Sequence, residues 1–390
     1  MLWLYTNWLW QYQMNSTKII KSLILILISG ALLAIPRPPD LGIGSYILYE
    51  PSTKKVIVSF NENESVEPAS LTKLMTSYVV ADYIKDEFIS LEDDPRISIK
   101  AWQTPGSKMF IREGTKVKVS DLIKGMIIQS GNDASVALAE HIAGSEENFV
   151  YLMNEYAIEL GMKNSNFNNV TGLPDPENIT SALDLAILTS AIIEDFPDHY
   201  KIYSEKSFTY GGITQGSRNR LLWRDEIFDG GKTGYTKNAG YCLVGAAKRD
   251  DMRLIAVVLG SENDKRFNDV TLLMNYGFKY FSKEKRIIKD QPLKSLKVVA
   301  GVEDEVLVGP SNDVVLTLPK DIELEYTLTL PDQVLAPILK GDIVGSVKAV
   351  DSEGNVLAEE DLIYLSSVEE LGFFERLFEI IWNWILSLFS

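Results

Sequence analysis

The segment PASLTKLMT (68–76) holds a serine followed three residues later by a lysine, a pair that could perform nucleophilic chemistry. Serine is a poor nucleophile until a neighbouring base takes its proton. Lysine can be that base when burial or a nearby cation lowers its pKa. The apolar pattern predicts a helix over 69–84, which places Ser70 in the first turn and Lys73 one turn later on the same face.

Spacing alone is weak evidence, because average composition gives about one or two S-x-x-K pairs in a chain of this length. Ser52/Lys55 lies on a predicted hairpin tip and Ser282/Lys285 in a charged linker, where polar side chains are solvated. Two further stretches distinguish Ser70/Lys73: Ser130-Gly131-Asn132 and Lys232-Thr233-Gly234. Each tripeptide pattern is expected about 0.1 times by chance, so the ordered set of three is far more specific than its parts.

The set S-x-x-K, S-x-N, K-T-G resembles that of class A β-lactamases and penicillin-binding proteins. Nearly all of the chain after residue 34 is similar to the D-alanyl-D-alanine carboxypeptidases among the low-molecular-mass penicillin-binding proteins, of the penicillin-binding protein 5 type. PAS before Leu71, LIKGMIIQSGNDA, RNRLLW (218–223) and DGGKTGYTKNAGY carry this resemblance. It implies a serine enzyme that removes the terminal D-alanine from peptidoglycan pentapeptides and is covalently inhibited by β-lactams.

Chemistry then suggests a role for each catalytic residue. Ser70 is expected to attack the D-Ala-D-Ala carbonyl, with neutral Lys73 as its base and positive Lys232 lowering the pKa of Lys73. Ser130 is expected to relay a proton toward the leaving amine. The expected substrate-binding residues are Asn132, Lys232, Thr233 and Gly234, and the resemblance adds Arg218. By resemblance, the backbone N–H groups of Ser70 and Tyr235 form the oxyanion hole.

Three other functions stay open beside the carboxypeptidase. A class A β-lactamase requires a deacylating glutamate in an E-x-x-L-N context, whereas Glu177 is followed directly by Asn178 in the corresponding loop. A D,D-endopeptidase of the same fold is the second, although such relatives generally lack a β domain and an anchor. A catalytically silent penicillin-binding protein that influences cell shape is the third.

Composition excludes several classes of function. A net charge of −16 disfavours nucleic acid as a partner. With one cysteine and two histidines, the sequence predicts no intrachain disulfide, no metal cluster and no cofactor. We expect Cys242 to be a small buried residue and His141 and His199 to be structural, so the catalytic base is expected to be a lysine.

The elements that position these residues predict an α+β fold, with an antiparallel sheet and a helical cluster like those of β-lactamases and transpeptidases. Further helices are expected over 119–142, 146–161, 184–196 and 268–281, and a hairpin over 239–261. The predicted domains are a signal-peptide region (1–34), a catalytic domain (35–282), a small all-β sandwich (283–365) and an amphipathic helix (366–390).

The two ends of the chain predict where the protein acts. Lysines before an apolar run that ends in small residues are typical of a secretory signal, with Met14 as an alternative start. The segment 366–390 has one narrow polar face and two tryptophans, which favours a helix lying in the membrane interface. We therefore expect a periplasmic enzyme attached to the outer face of the bacterial inner membrane, with a homodimer as one possible assembly.

Overall fold

The computed structural model describes residues 36–375. Within this range the chain forms two compact units, Pro38–Phe281 and a second that starts at Ser282. The predicted signal region 1–34 and residues 376–390 of the predicted C-terminal helix lie outside the described residues. Among the described residues, no helix has the length and apolar character needed to span a bilayer.

The first unit contains every candidate catalytic residue. Its helices are α1 (Lys73–Lys85), α2 (Ile99–Gln103), α3 (Val119–Ile128), α4 (Asn132–Ala143), α5 (Glu146–Glu159), α6 (Ala182–Asp195), α7 (Pro197–Tyr200) and α8 (Lys265–Tyr280). Its strands are β1 (Ser45–Glu50), β2 (Lys55–Phe60), β3 (Ser207–Tyr210), β4 (Ile213–Gly216), β5 (Phe228–Thr236), β6 (Gly240–Arg249) and β7 (Met252–Ser261). Short 3-10 turns cover Ala69–Thr72, Lys201–Ser204 and Arg220–Trp223.

A five-stranded antiparallel sheet in the order β2-β1-β7-β6-β5 forms the centre of this unit, and β3 pairs separately with β4. Strand β6 is apolar without alternation because both of its faces are covered. Val244 and Ala246 pack into the main helical core, and Gly245 faces Val270 of α8 on the other side. Strand β5 is an edge strand of the sheet, so one side of its backbone stays open beside the helical cluster.

The prediction of one continuous helix over 119–142 is wrong, because this segment forms two helices, α3 and α4. Ser130 adopts a left-handed backbone conformation (φ 67°), which an α-helix does not allow. Gly131 follows, and its N–H donates to the carbonyl of Gly125 at 3.0 Å. The break between the two helices lifts Ser130 out of the helical hydrogen-bond ladder and places it at the site described below.

The second unit is built from strands β8 (Phe281–Ile287), β9 (Lys294–Val299), β10 (Glu305–Pro310), β11 (Val314–Pro319), β12 (Glu325–Thr329), β13 (Gln333–Leu335), β14 (Ile343–Val350) and β15 (Val356–Tyr364). A six-stranded sheet has the order β12-β14-β15-β10-β9-β13, and β8 pairs with β11. Ile287 of β8 packs with Val347 and Leu362 of the larger sheet in one apolar cluster. The C-terminal unit is therefore a β domain with two sheets.

The predicted helix does not begin at residue 366. Val368 pairs with Ile338 in an antiparallel bridge, and the N–H of Leu371 donates to the carbonyl of Ala300 at 2.9 Å. These backbone bonds hold the segment as an extension of the β domain. Within the described residues, helical conformation begins at Phe373.

Candidate active site

Ser70 lies in the 3-10 turn Ala69–Thr72 that directly precedes α1, whereas the sequence predicted one continuous helix. Ala69 has a left-handed backbone (φ 49°), and this bend presents Ser70, which is partly exposed, at the start of the helix. The turn packs closely against β5. A Cβ on Gly234 would lie 3.0 Å from the carbonyl of Pro68, so glycine allows the strand to approach the serine.

Lys73 is almost fully buried, and its Nζ donates to three acceptors. These are Ser70 Oγ at 3.2 Å, Asn132 Oδ1 at 2.7 Å and the carbonyl of Thr171 at 2.5 Å. Burial lowers the pKa of Lys73 to about 7; the carboxylate of Asp133 raises it and the guanidinium of Arg218 lowers it. The amine can therefore lose its proton near neutral pH beside the serine hydroxyl.

Ser130 and Lys232 form the second pair of the site. Lys232 Nζ donates to Ser130 Oγ at 2.7 Å and to the carbonyl of Thr233 at 3.1 Å, and both side chains are buried. Burial, and then repulsion from Lys73, lower the pKa of Lys232 well below its ordinary value. The sequence named Lys232 as the cause of the shift at Lys73, but burial is the main cause, and the cation that lowers the pKa of Lys73 is Arg218.

An open cleft of about 500 Å³ is lined by both serines, Ser70 and Ser130. Its walls include the side chains or backbone of Ser70, Ser130, Arg218, Thr233, Gly234 and Tyr235. Tyr235 is 55% exposed and stacks on Tyr241 at 4.2 Å between ring centroids. The three sequence motifs therefore meet around one cavity, at the open edge of β5.

Arg218 is an exposed cation on the wall of this cleft. Its Nε donates to the carbonyl of Gln129 at 3.2 Å, and its backbone N–H donates to that of Ile128 at 3.3 Å. These bonds tie the arginine to the break between α3 and α4 beside Ser130. Arg220 also lines the cleft, but its guanidinium pairs with Asp264 at 2.9 Å.

The other serine–lysine pairs and the two histidines considered above do not line the cleft. Ser52 Oγ donates to Glu50 at 2.7 Å, and Lys285 pairs with Asp313 at 2.7 Å. His199 is partly buried and contacts Ser77 Oγ at 2.7 Å, and desolvation lowers its pKa to about 4. His141 contacts the carboxylate of Asp93 at 3.2 Å.

Comparisons with known proteins identify the family of the chain. A family model described as D-alanyl-D-alanine carboxypeptidase matches residues 34–263, and one described as penicillin-binding protein 5, C-terminal domain, matches residues 281–370. The D-alanyl-D-alanine carboxypeptidase DacC of Escherichia coli (strain K12) is 41% identical over 363 residues, covering 90% of this chain and 89% of the relative. The chain belongs to the D-alanyl-D-alanine carboxypeptidase family.

Solved structures extend the similarity to the fold. Penicillin-binding protein 5 from Haemophilus influenzae is 39% identical with a TM-score of 0.75, over 86% of this chain and 99% of that chain. Penicillin-binding protein D2 from Listeria monocytogenes, in an ampicillin-bound form, is 29% identical with a TM-score of 0.58, over 62% of this chain and 99% of that chain. As a member of this family, the chain is a serine-type peptidase.

The loop between α5 and α6 holds Glu177, the residue compared above with the deacylating glutamate of class A β-lactamases. Glu177 is exposed, and its backbone carbonyl accepts a hydrogen bond from the Asn166 amide at 2.7 Å. The loop contributes the carbonyl of Thr171 to the site, where it contacts Lys73. Asn169 Oδ1 fixes that turn by accepting from the N–H groups of Thr171 and Gly172.

Sequence reasoning missed three residues of the site: Thr171, Asp133 and Arg266. Asp133 is fully buried, and its carboxylate accepts from the N–H groups of Met109, Phe110, Ile111 and Ala134 at 2.9–3.3 Å. Arg266 Nη1 donates to the carbonyl of Gly234 at 2.9 Å. Asp133 could have been found, because an acidic residue directly follows the S-x-N motif. The backbone carbonyl of Thr171 and the cation of Arg266 leave no recognisable signal in a single sequence.

Proposed function

We propose that the chain removes the terminal D-alanine of peptidoglycan pentapeptides through an acyl-enzyme on Ser70. Neutral Lys73 takes the hydroxyl proton as Ser70 Oγ bonds to the carbonyl carbon of the D-Ala-D-Ala peptide. The C–N bond then breaks, and the leaving D-alanine amine gains a proton through Ser130. Water hydrolyses the resulting ester, which releases the shortened peptide and returns a proton to Ser70. The observation that carries this proposal is the 3.2 Å contact between Ser70 Oγ and a buried lysine with a pKa of about 7.

We assign substrate binding to the open edge of β5 and its neighbours. Lys232, Thr233 and Arg218 bind the free carboxylate of the leaving D-alanine, because a charged hydrogen bond to a carboxylate is stronger than a neutral one. Asn132 offers its amide to the substrate backbone, and Gly234 lets the peptide lie close to the strand. The N–H groups of Ser70 and Tyr235 stabilise the oxyanion of the tetrahedral intermediate.

The same acylation step accounts for inhibition. A β-lactam presents a strained amide carbonyl to Ser70, and its ring opens to leave an ester. We propose that this ester is long-lived, because the α5–α6 loop places Thr171, and not a carboxylate, against Lys73. The Listeria relative with bound ampicillin supports this proposal by family likeness.

The proposed location rests on the patterns predicted near the two ends of the sequence. We propose that residues 1–34 direct export to the periplasm and that the apolar helix predicted near the C-terminus attaches the enzyme to the outer face of the inner membrane. A homodimer on that surface is part of the same proposal. Fractionation of cells expressing the full chain, beside a variant lacking residues 376–390, tests it. Recovery of the variant with the membrane pellet would contradict the proposed anchor.

The reaction is tested by D-alanine release from a peptide ending in L-Lys-D-Ala-D-Ala. Release by the parent and none by Ser70→Ala is the expected result. Ser52→Ala is the matched control, because Ser52 belongs to another S-x-x-K pair that lies on a hairpin turn. A folded parent that releases no D-alanine would contradict the carboxypeptidase, and cross-linked peptidoglycan would then test the endopeptidase alternative.

A further inference from the structure

A second groove, of about 610 Å³, lies beside the catalytic cleft. Its walls include Trp102, Lys108, Phe110, Arg112, Tyr210 and Ile213, and we call it the aromatic groove. Two chain segments border both cavities. Ser107 lines the cleft and the next residue lines the groove, and strand β4 runs from Ile213 in the groove to Gly216 in the cleft. Gln215 joins these segments by donating to the carbonyl of Lys108 at 3.1 Å. A polymer that leaves the cleft can therefore continue into the groove.

The aromatic groove exposes large apolar side chains to solvent. Trp102 is 40% exposed, Phe110 53% and Ile213 45%. Phe110 also has a left-handed backbone (φ 71°), which is unfavourable for a bulky residue, and its N–H donates to Asp133 Oδ2 at 3.0 Å. Clustered exposure of this kind is typical of a surface that binds a ligand.

The charge of the groove is opposite to that of the whole chain. Lys108 and Arg112 contribute cations, and no carboxylate is among its lining residues within 36–375, although the chain carries a net charge of −16. Lys108 Nζ donates to the carbonyl of Trp102, in the last turn of α2, at 2.6 Å. This arrangement favours an anionic ligand with apolar faces.

We propose that the aromatic groove binds peptidoglycan next to the stem peptide that occupies the catalytic cleft. The bound part carries both sugar rings and carboxylates. This inference rests on the proposed function. The apolar faces of sugar rings pack on Trp102 and Phe110, as flat apolar surfaces pack on aromatic rings. Arg112 and Lys108 pair with the carboxylates of the polymer. The groove thereby favours wall-derived substrates over short free peptides.

Two substrates test the proposal: a pentapeptide attached to its disaccharide, and the same pentapeptide without sugar. Trp102→Ala is expected to raise KM for the disaccharide-pentapeptide at least fivefold, with kcat unchanged, because it removes a ring that packs on the sugars. Both constants for the free pentapeptide should stay as in the parent. Tyr151→Ala is the matched control, because this tyrosine is 66% exposed on α5. Equal loss on both substrates, or no loss on either, would overturn the proposal.

Sedimentation with isolated cell-wall sacculi separates this proposal from the proposed reaction, because binding needs no turnover. The full chain carrying Ser70→Ala is expected to sediment with sacculi, and adding Trp102→Ala or Arg112→Gln should reduce the bound fraction at least threefold. That loss would support the groove even if the parent released no D-alanine. Binding equal to that of the Ser70→Ala, Tyr151→Ala protein would overturn the groove even if the parent is an active carboxypeptidase.

Discussion

The carbonyl oxygen of Thr171 accepts a hydrogen bond from Nζ of Lys73 at 2.5 Å, across 98 residues of sequence. This contact makes the α5–α6 loop a wall of the active site, because it orients the amine that also contacts Ser70 Oγ. Thr76 Oγ1 of α1 fixes the same loop through the carbonyl of Val170 at 2.8 Å. The position of the catalytic lysine thus depends on loop backbone as well as on the helix that carries it.

The pH dependence of acylation should report the proton on Lys73. Its pKa is about 7, so below that pH the protonated amine cannot accept the proton of Ser70. The acylation rate constant for a β-lactam should rise about tenfold per pH unit up to neutrality and then level off. Stopped-flow measurement from pH 5.5 to 8.5 checks this. His141→Gln is the control, because it removes an imidazole that contacts Asp93 and does not line the cleft; a midpoint that moves in this variant would count against Lys73.

Gly172→Ala should disrupt the same loop. The residue has φ +76°, and an added Cβ would lie 1.7 Å from the carbonyl of Ala69 and 2.9 Å from the N of Ser70. We expect a loss of at least about 3 kcal/mol in the free energy of unfolding, and acylation reduced more than 100-fold. Gly161→Ala is the control, because its φ is +74° with nothing within 4 Å. It should cost only about 1 kcal/mol and keep activity; equal effects in urea titrations would refute the role of the contact.

The sequence predicted the fold class and the main residues of the site because these depend on local signals. Apolar periodicity indicated most helices and the β6–β7 hairpin, and the three motifs named Ser70, Ser130 and Lys232. The break of the helix at Ser130 was missed, because the apolar pattern continues through it. Tertiary contacts such as that of Lys232 with Ser130 accompany the left-handed backbone there, and the local sequence does not show them. The same holds for the 3-10 turn at Ser70.

Residues that act through the backbone or across long separations gave no such signal. Thr171 contributes a carbonyl, which any residue type provides, and Arg266 reaches Gly234 from a helix 32 residues further along the chain. The start of the C-terminal helix was misplaced, because apolar residues at the positions of Val368 and Leu371 fit the pattern of a helix as well as that of a strand. Their partners, Ile338 and Ala300, are distant in the sequence.

Asp133→Asn should weaken both the site and the fold. The carboxylate accepts from four backbone N–H groups, whereas an amide presents an NH₂ toward some of these donors. We expect a loss of about 3 kcal/mol in the free energy of unfolding. Asp133 also raises the pKa of Lys73, so the midpoint of acylation should move to lower pH. Asp351→Asn, in an exposed turn of the β domain, is the control; a midpoint unchanged by Asp133→Asn would contradict the assigned coupling.

Arg266→Lys should slow acylation without unfolding the protein. Arg266 holds the carbonyl of Gly234 and lies over the rings of Tyr241 and Phe267, at 5.1 and 4.9 Å from their centroids. Lysine keeps the charge but loses the planar fork that makes these contacts together. We expect about a tenfold lower acylation rate constant. Arg224→Lys, which removes a similar contact to Phe267 outside the cleft, should match the parent; equal losses would indicate a general effect of packing.

Arg218→Gln should separate recognition of the carboxylate from catalysis. The guanidinium is exposed on the cleft wall, so its removal should raise KM at least tenfold for a peptide ending in free D-alanine. The same peptide with a C-terminal amide should show little change. Arg218 also lowers the pKa of Lys73, so the acylation midpoint should move upward, opposite to the shift in Asp133→Asn. Arg220→Gln is the matched control because Arg220 already pairs with Asp264. If it raised KM as strongly, the carboxylate site would have to be assigned to both arginines.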